Sequence, residues 1–283
     1  LTTPFEVIDI DDPSDSRVDD FRDLNSIDRR PDRVGTADRP GKALVIAEGV
    51  IVAQRMLASR FRAHALFGTD RRLEQLRADP ATPTGAELAA VPYYRTTAEV
   101  MAQVVGFHLN RGVLAVARRP DPLDPRDLLE SARTVAILEG VNDHENIGSI
   151  FRNAAGLGVD AVLFGAATAD PLYRRAVRVS MGHVLLVPFA HFDEWPSDLN
   201  LLHGKGFRVV SLTPDPDVPI LAEAIEGAAR VAFMVGAEGP GLSESAMRAG
   251  DVRARIPMSG GTDSLNVATA AAVAFYERVR SGA

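Results

Sequence analysis

Residues 256–279 read IPMSGGTDSLNVATAAAVAFYERV. A short apolar, strand-like run ends at Pro257 and Met258, a small polar loop follows, and a long Ala-rich helix begins. Leu265, Ala268, Ala272, Phe275 and Val279 recur at spacings of 3, 4, 3 and 4, the stripe of a helix packed along one side. Thr262, Asp263, Ser264 and Asn266 crowd its start, and the stripe places Ser264 and Asn266 in the first turn. Such side chains accept hydrogen bonds from the unpaired N–H groups of a helix beginning. Capping needs one of them. Their crowding exceeds that need and favours a site beyond the helix end.

The same strand-to-helix unit recurs upstream. TVAILEG (134–140), AVLFG (161–165), VLLVPF (184–189), RVVSLT (208–213), VAFMVG (231–236) and ARIPM (254–258) are apolar runs of strand length, with helical patterns between most of them. Strands apolar on both faces that alternate with helices predict an α/β fold with a parallel sheet covered on both sides. This unit is expected over residues 131–283. A smaller α/β unit is expected over 39–119, where ALVIAEGVIVAQRMLAS runs from strand into helix, HALFGT and GVLAVARR are strands, and TTAEVMAQVVG is a helix. PDPLDPRD, rich in Pro and Asp, makes 120–130 the linker. Residues 1–38 show little periodicity and read as an extended, weakly structured acidic arm with one short helix in VDDFRDLNSI.

Composition narrows the function. The 283 residues contain no Cys, so disulfides and thiolate metal sites are excluded. The six His lack an H-x-x-x-H spacing, and no metal site is expected. No apolar run reaches the ~18 residues of a membrane span, and the N-terminus is acidic rather than signal-like, which predicts a cytoplasmic protein. The formal charge of −7 lies almost wholly in residues 1–38, with 11 acids against 5 Arg. The rest is close to neutral, so a basic patch on the folded body remains open.

Three further stretches carry candidate chemistry. In ENIGSIFRNAAGLGVDAVLF (145–164), Ile147, Ile150, Ala154 and Leu157 share a helix face. Arg152 lies on another, among Gly148, Ser149, Ala155 and Gly156, where a ligand or partner has room. A surface Arg on a helix capped by Asn146 is the plainer alternative. In VAFMVGAEGPGLSESA (231–246), an apolar strand enters a loop bearing Gly236, Glu238, Gly239 and Gly241, with Ser243 able to cap the next helix. It is either a close-approach ligand loop or a flexible turn, and without a following Lys it is not a phosphate-cradling loop. YRRAVRVSMGHV (173–184) clusters Arg174, Arg175 and Arg178, a solvated face or a phosphate contact.

In this order, each at a strand-to-helix junction, the motifs resemble those of the SpoU/TrmH branch of SPOUT RNA 2′-O-ribose methyltransferases. Asn146, Gly148 and Arg152 match the first; Gly236, Glu238 and Gly241 the second; Pro257, Met258, Ser264, Leu265 and Asn266 the third. ALVIAEG and FHLNRGVLAVARR resemble the small L30e-like RNA-recognition domain that precedes the catalytic domain in several members. The resemblance implies a trefoil-knotted SPOUT domain, a homodimer with its site near the subunit interface, and methyl transfer from S-adenosylmethionine (SAM) to a ribose 2′-OH of ribosomal or transfer RNA. The alternatives are a non-catalytic RNA-binding or ribosome-assembly protein with the same fold and a small-molecule α/β enzyme whose motifs match by chance. Implied catalytic residues are Asn146, Arg152, Glu238, Ser264 and Asn266. Implied SAM contacts are Met234, Val235, Gly236, Ala237, Glu238 and Gly239, then Ile256, Pro257 and Met258, and finally Ser264, Leu265 and Asn266. RNA contacts are expected from Arg111, Arg152, Arg174, Arg175 and Arg178.

Overall fold

The computed structural model describes residues 5–36, 41–85, 90–259 and 264–282. Thr262 and Asp263 of the crowded helix start lie outside them. The chain divides into two compact units, one of residues 1–121 and 172–186, the other of 122–171 and 187–283.

The first unit is built on a five-stranded sheet of β1 (Glu6–Asp9), β2 (Val45–Glu48), β3 (Ala63–Thr69), β4 (Pro92–Thr96) and β5 (Val113–Ala117), in the order β1-β4-β3-β5-β2. β1, β4 and β3 run parallel, and β5 is antiparallel to both β3 and β2. Helices α1 (Val50–Leu57), α2 (Asp70–Ala78) and α3 (Ala98–Val105) belong to it. Thr97 caps α3 by accepting from Val100 N, and Gly106 ends it in the left-handed conformation that suits glycine.

Three expectations need correction. The acidic N-terminal segment is not a loose arm: β1 extends the sheet, and Phe5, Ile10, Val18, Phe21 and Leu24 are buried. Its apolar residues fit no single period, because they belong to a short edge strand and a six-residue 3₁₀ turn, Ser16–Phe21. The presumed linker forms helix α4 (Pro125–Ser131), with Pro125 at its first turn and Asp124 as its cap. Residues 172–186, expected in the larger unit, pack in the first one. There α6 (Arg174–Val179), the helix after α5 described below, lies against β2.

The second unit carries a six-stranded, wholly parallel sheet. Its strands are β6 (Thr134–Leu138), β7 (Ala161–Phe164), β8 (Phe189–His191), β9 (Phe207–Leu212), β10 (Arg230–Val235) and β11 (Val252–Ala254), in the order β11-β9-β10-β6-β7-β8. β6 and β7 are buried throughout, as strands covered on both faces must be. VLLVPF is mostly not strand: residues 183–185 form a 3₁₀ turn, and β8 begins only at Phe189. Among the helices, α5 (His144–Gly156) and α10 (Val267–Arg280) pack on one another. α7 (Leu199–Gly204), α8 (Leu221–Ile225) and α9 (Glu244–Ala249) link the later strands.

The stripe on α10 is also rotated from expectation. The helix starts at Val267, so Leu265 precedes it. The buried face runs through Ala268, Ala271, Ala274, Phe275 and Arg278, and it leaves Val279 55% exposed. Arg278 is buried because its guanidinium donates to the carbonyls of Ala228 and Ala229, both at 2.8 Å. Paired in this way, a charged residue takes a place that periodicity assigns to an apolar one.

Candidate active site

Parallel α/β sheets place ligands beyond the C-terminal ends of their strands, and this sheet does the same. A pocket of about 400 Å³ opens where β9, β10 and β11 end. Its walls come from three segments: 212–214 at the end of β9, 235–239 and 241 at the end of β10, and Ile256, Met258 and 264–267 before and into α10. The middle segment folds back on itself. Gly241 N donates to Ala237 O at 3.0 Å, and a Cβ on Gly236 would stand 2.2 Å from the Gly241 carbonyl carbon. Gly241 has φ +72°, where side chains are strained. The glycines of this motif are therefore demanded by the turn, and the turn exposes Glu238 beside the pocket.

Glu238 is the centre of a three-residue network. Its Oε1 accepts from Asn146 Nδ2 at 3.0 Å and from Asn266 Nδ2 at 2.9 Å, and Asn266 Nδ2 also donates to Asn146 Oδ1 at 2.8 Å. Asn266 Oδ1 meanwhile accepts from Ala268 N and Thr269 N, so this residue caps α10. The cap of α5 is Asp143, not Asn146, which leaves the Asn146 amide free to reach across. One residue from each of the three motifs thus meets at one point, over sequence separations of 92 and 120.

The pocket gathers all the residues expected to hold SAM except Met234 and Pro257. The Met234 side chain is fully buried in the core beneath the sheet end, and Pro257 is exposed outside the lining. Ser264 lines the pocket from a non-helical segment and does not cap the helix. Arg152 is apart from this group. It is exposed on α5, does not line the pocket, and makes no hydrogen bond or ion pair within the described chain. Of the arginines expected to touch RNA, Arg111 and Arg174 are both engaged by the buried Glu48 carboxylate, at 3.9 and 3.3 Å. Arg174 also covers the Phe107 ring, its guanidinium carbon 5.3 Å from the centroid. Arg175 is exposed and Arg178 half-buried on α6.

Sequence reasoning missed Leu212, Thr213 and Pro214, which wall the pocket because β9 lies beside β10 in the sheet. It also missed Glu139, just past β6. This buried carboxylate accepts from Ser243 N and Ser243 Oγ, both at 2.7 Å, and from Trp195 Nε1 at 2.5 Å. It thereby fixes the end of the loop that carries Glu238. An acid directly after a fully buried strand was the available signal.

A pocket at the strand ends of a parallel sheet, edged by an amide–carboxylate network, defines an α/β enzyme that holds a small molecule next to an exposed polar rim. The comparisons give its lineage. Residues 133–276 match the SpoU rRNA Methylase family. An uncharacterised tRNA/rRNA methyltransferase of Mycobacterium bovis is 63% identical over 98% of this chain and 93% of its own. The 23S rRNA (guanosine(2553)-2′-O)-methyltransferase RlmP of Bacillus subtilis is 31% identical over 54% of this chain and 60% of its own. In fold, an AdoMet-bound rRNA methyltransferase from Sinorhizobium meliloti superposes with a TM-score of 0.74 at 23% identity, covering 97% of this chain and 98% of its own. The chain belongs to the SpoU rRNA methylase family.

Proposed function

We propose that the pocket between residues 212–214, 235–241 and 264–267, with Ile256 and Met258, holds SAM, and that the network at its rim directs the methyl group to a ribose 2′-oxygen of ribosomal or transfer RNA. The chain is an RNA methyltransferase. The observation that carries the finer reading is the convergence of Asn146, Glu238 and Asn266 beside a pocket of the right size for a nucleoside-sized ligand. The fit is chemical as well. Ile256, Met258 and Leu265 offer apolar walls to a purine, and the folded-back loop offers close backbone groups. No phosphate cradle is needed for a cationic cofactor, and Glu238 puts a carboxylate at the rim.

When bound, SAM supplies an electrophilic methyl carbon and leaves as a neutral thioether. The chain must orient the ribose and manage its proton. Both amides use Glu238 Oε1, and Oε2 makes no hydrogen bond among the described residues, so it is available to accept from the 2′-hydroxyl. Holding that hydroxyl at a fixed angle is a positioning contribution, and the same carboxylate oxygen takes its proton as the O–C bond forms and the S–C bond breaks. Arg152, always protonated, stabilises the developing alkoxide and anchors an adjacent phosphate.

Since Arg152 stands outside its own pocket, this role calls for a second copy. α10 also presents Tyr276 and Val279, 56% and 55% exposed, beside the helix that bears Arg152. Both features support a homodimer with the site near the subunit interface. The trefoil knot belongs to the same reading, supported by the return of residues 264–266 to the loop after β10. So does the assignment of the first unit, residues 1–121 and 172–186, as L30e-like and of the second, 122–171 and 187–283, as the SPOUT domain. No described helix is long and apolar enough to cross a membrane, and an RNA substrate supports a cytoplasmic location.

Calorimetric titration with SAM tests the pocket assignment. One site per chain is expected, lost in Leu265→Glu, which puts a charge into the apolar wall. Absence of binding to the parent protein overturns the assignment.

A further inference from the structure

The antiparallel run of β5 against β2 and β3 brings the end of one strand to the beginnings of two others. Ala117 on β5 faces both Val45 on β2 and Ala63 on β3. Arg118 and Arg62 therefore leave the ladder side by side, and Arg60 lies two residues further along. Arg60, Arg62 and Arg118 are all exposed. Arg62 and Arg118 make no hydrogen bond or ion pair within the described chain. Arg60 donates to a main-chain carbonyl, that of Asp121, at 2.9 Å. This contact fixes the guanidinium without cancelling its charge.

The nearby groups of either sign account for themselves. Asp20 is occupied by Lys42 at 2.6 Å and His64 at 3.0 Å. Asp19 accepts from Arg22. Arg119 donates to Ala43 O at 2.9 Å. Neighbouring like charges on adjacent strands repel one another, and here no described carboxylate relieves them. This happens on an acidic chain whose other arginines mostly find partners. Of the four arginines expected beforehand to contact RNA in this unit, two, Arg111 and Arg174, are held by Glu48 instead.

We propose that Arg60, Arg62 and Arg118 form an RNA-backbone contact surface on the first unit, separate from the methyl-transfer pocket. The proposal rests on the reading of the chain as an RNA methyltransferase. An RNA phosphate seated between Arg62 and Arg118 removes their repulsion, and a guanidinium fits a phosphate with two parallel hydrogen bonds. Contacts of this kind hold and orient the RNA without reading its sequence.

The test uses the full chain, with filter binding of bulk ribosomal RNA and bulk transfer RNA over a series of salt concentrations. Arg62→Ala/Arg118→Ala should weaken binding of both RNAs by about tenfold and reduce the slope of log affinity against log salt by about 1–2. SAM affinity and melting temperature should match the parent. Arg62→Lys/Arg118→Lys, which keeps the charges, should keep the slope. If the Ala variant melts like the parent and binds RNA with the same affinity and slope, the surface is not an RNA contact, although methyl transfer by the parent still stands. If the parent itself binds no RNA, both the surface and the functional reading fall.

Discussion

Asn266 serves two purposes with one side chain. Its oxygen caps α10 and its nitrogen ties Asn146 to Glu238. The sequence posed capping and a site as alternatives, and the geometry gives the residue both a cap and a place in the network beside the pocket. Two substitutions separate them. Asn266→Ala removes both roles and should cost ~0.5–2 kcal/mol of stability along with most of the activity. Asn266→Ser keeps a capping oxygen but loses the amide donors. It should melt near the parent temperature and remain nearly inactive. Melting curves and methyl-transfer rates on the same preparations decide the matter, and an active Ser variant would reduce Asn266 to a cap. At this scale the site was largely legible, because three short motifs contain the three residues that meet. Glu139 was not, because its importance comes from Ser243 and Trp195, which are remote in sequence and adjacent only after folding.

Elements were legible where a single period ran unbroken. β6, β7, β9, β10 and the helix bearing Arg152 stand out for that reason. β1, β8 and α4 did not, being short and either at a sheet edge or set among prolines and acids. Edge strand β8 offers a prediction of its own. His191 stacks on Phe164, with ring centroids 4.8 Å apart, and meets Phe189 edge-on. Contact with the two rings partly desolvates the imidazole and lowers its pKa, outweighing the opposite effect of Asp170. The unfolded chain therefore takes up a proton at this imidazole before the folded chain does. The stability it permits is present above the ordinary imidazole value of about 6.5 and is lost as the pH falls below it. His191→Phe should keep the stack and lose less stability than the parent between pH 7.5 and 5.5. Denaturant unfolding at both pH values measures this. Parallel losses in the two proteins would show that His191 does not contribute.

For the whole molecule, the sequence foresaw two α/β units but not that residues 172–186 would pack in the first. A long excursion of that kind leaves no local periodicity to read. The assembly carries the remaining prediction. If Arg152 acts from a second copy, Tyr276→Glu should shift the sedimentation equilibrium toward monomer and reduce methyl transfer with it. Arg152→Ala should remain associated and bind SAM normally, while the rate falls by about 10²–10³, the usual loss for one oxyanion donor. A fully active Tyr276→Glu monomer would place the whole site within one chain.

The central claim is that this pocket and its rim transfer a methyl group to a ribose oxygen. Incubation of the protein with RNA and methyl-labelled SAM, followed by complete nucleoside digestion, tests it most directly. The prediction is label in a 2′-O-methylated nucleoside, the adjacent linkage becoming resistant to alkali, and very little of it formed by Asn266→Ser. Label in a base, or transfer that persists unchanged in that variant, would contradict the account.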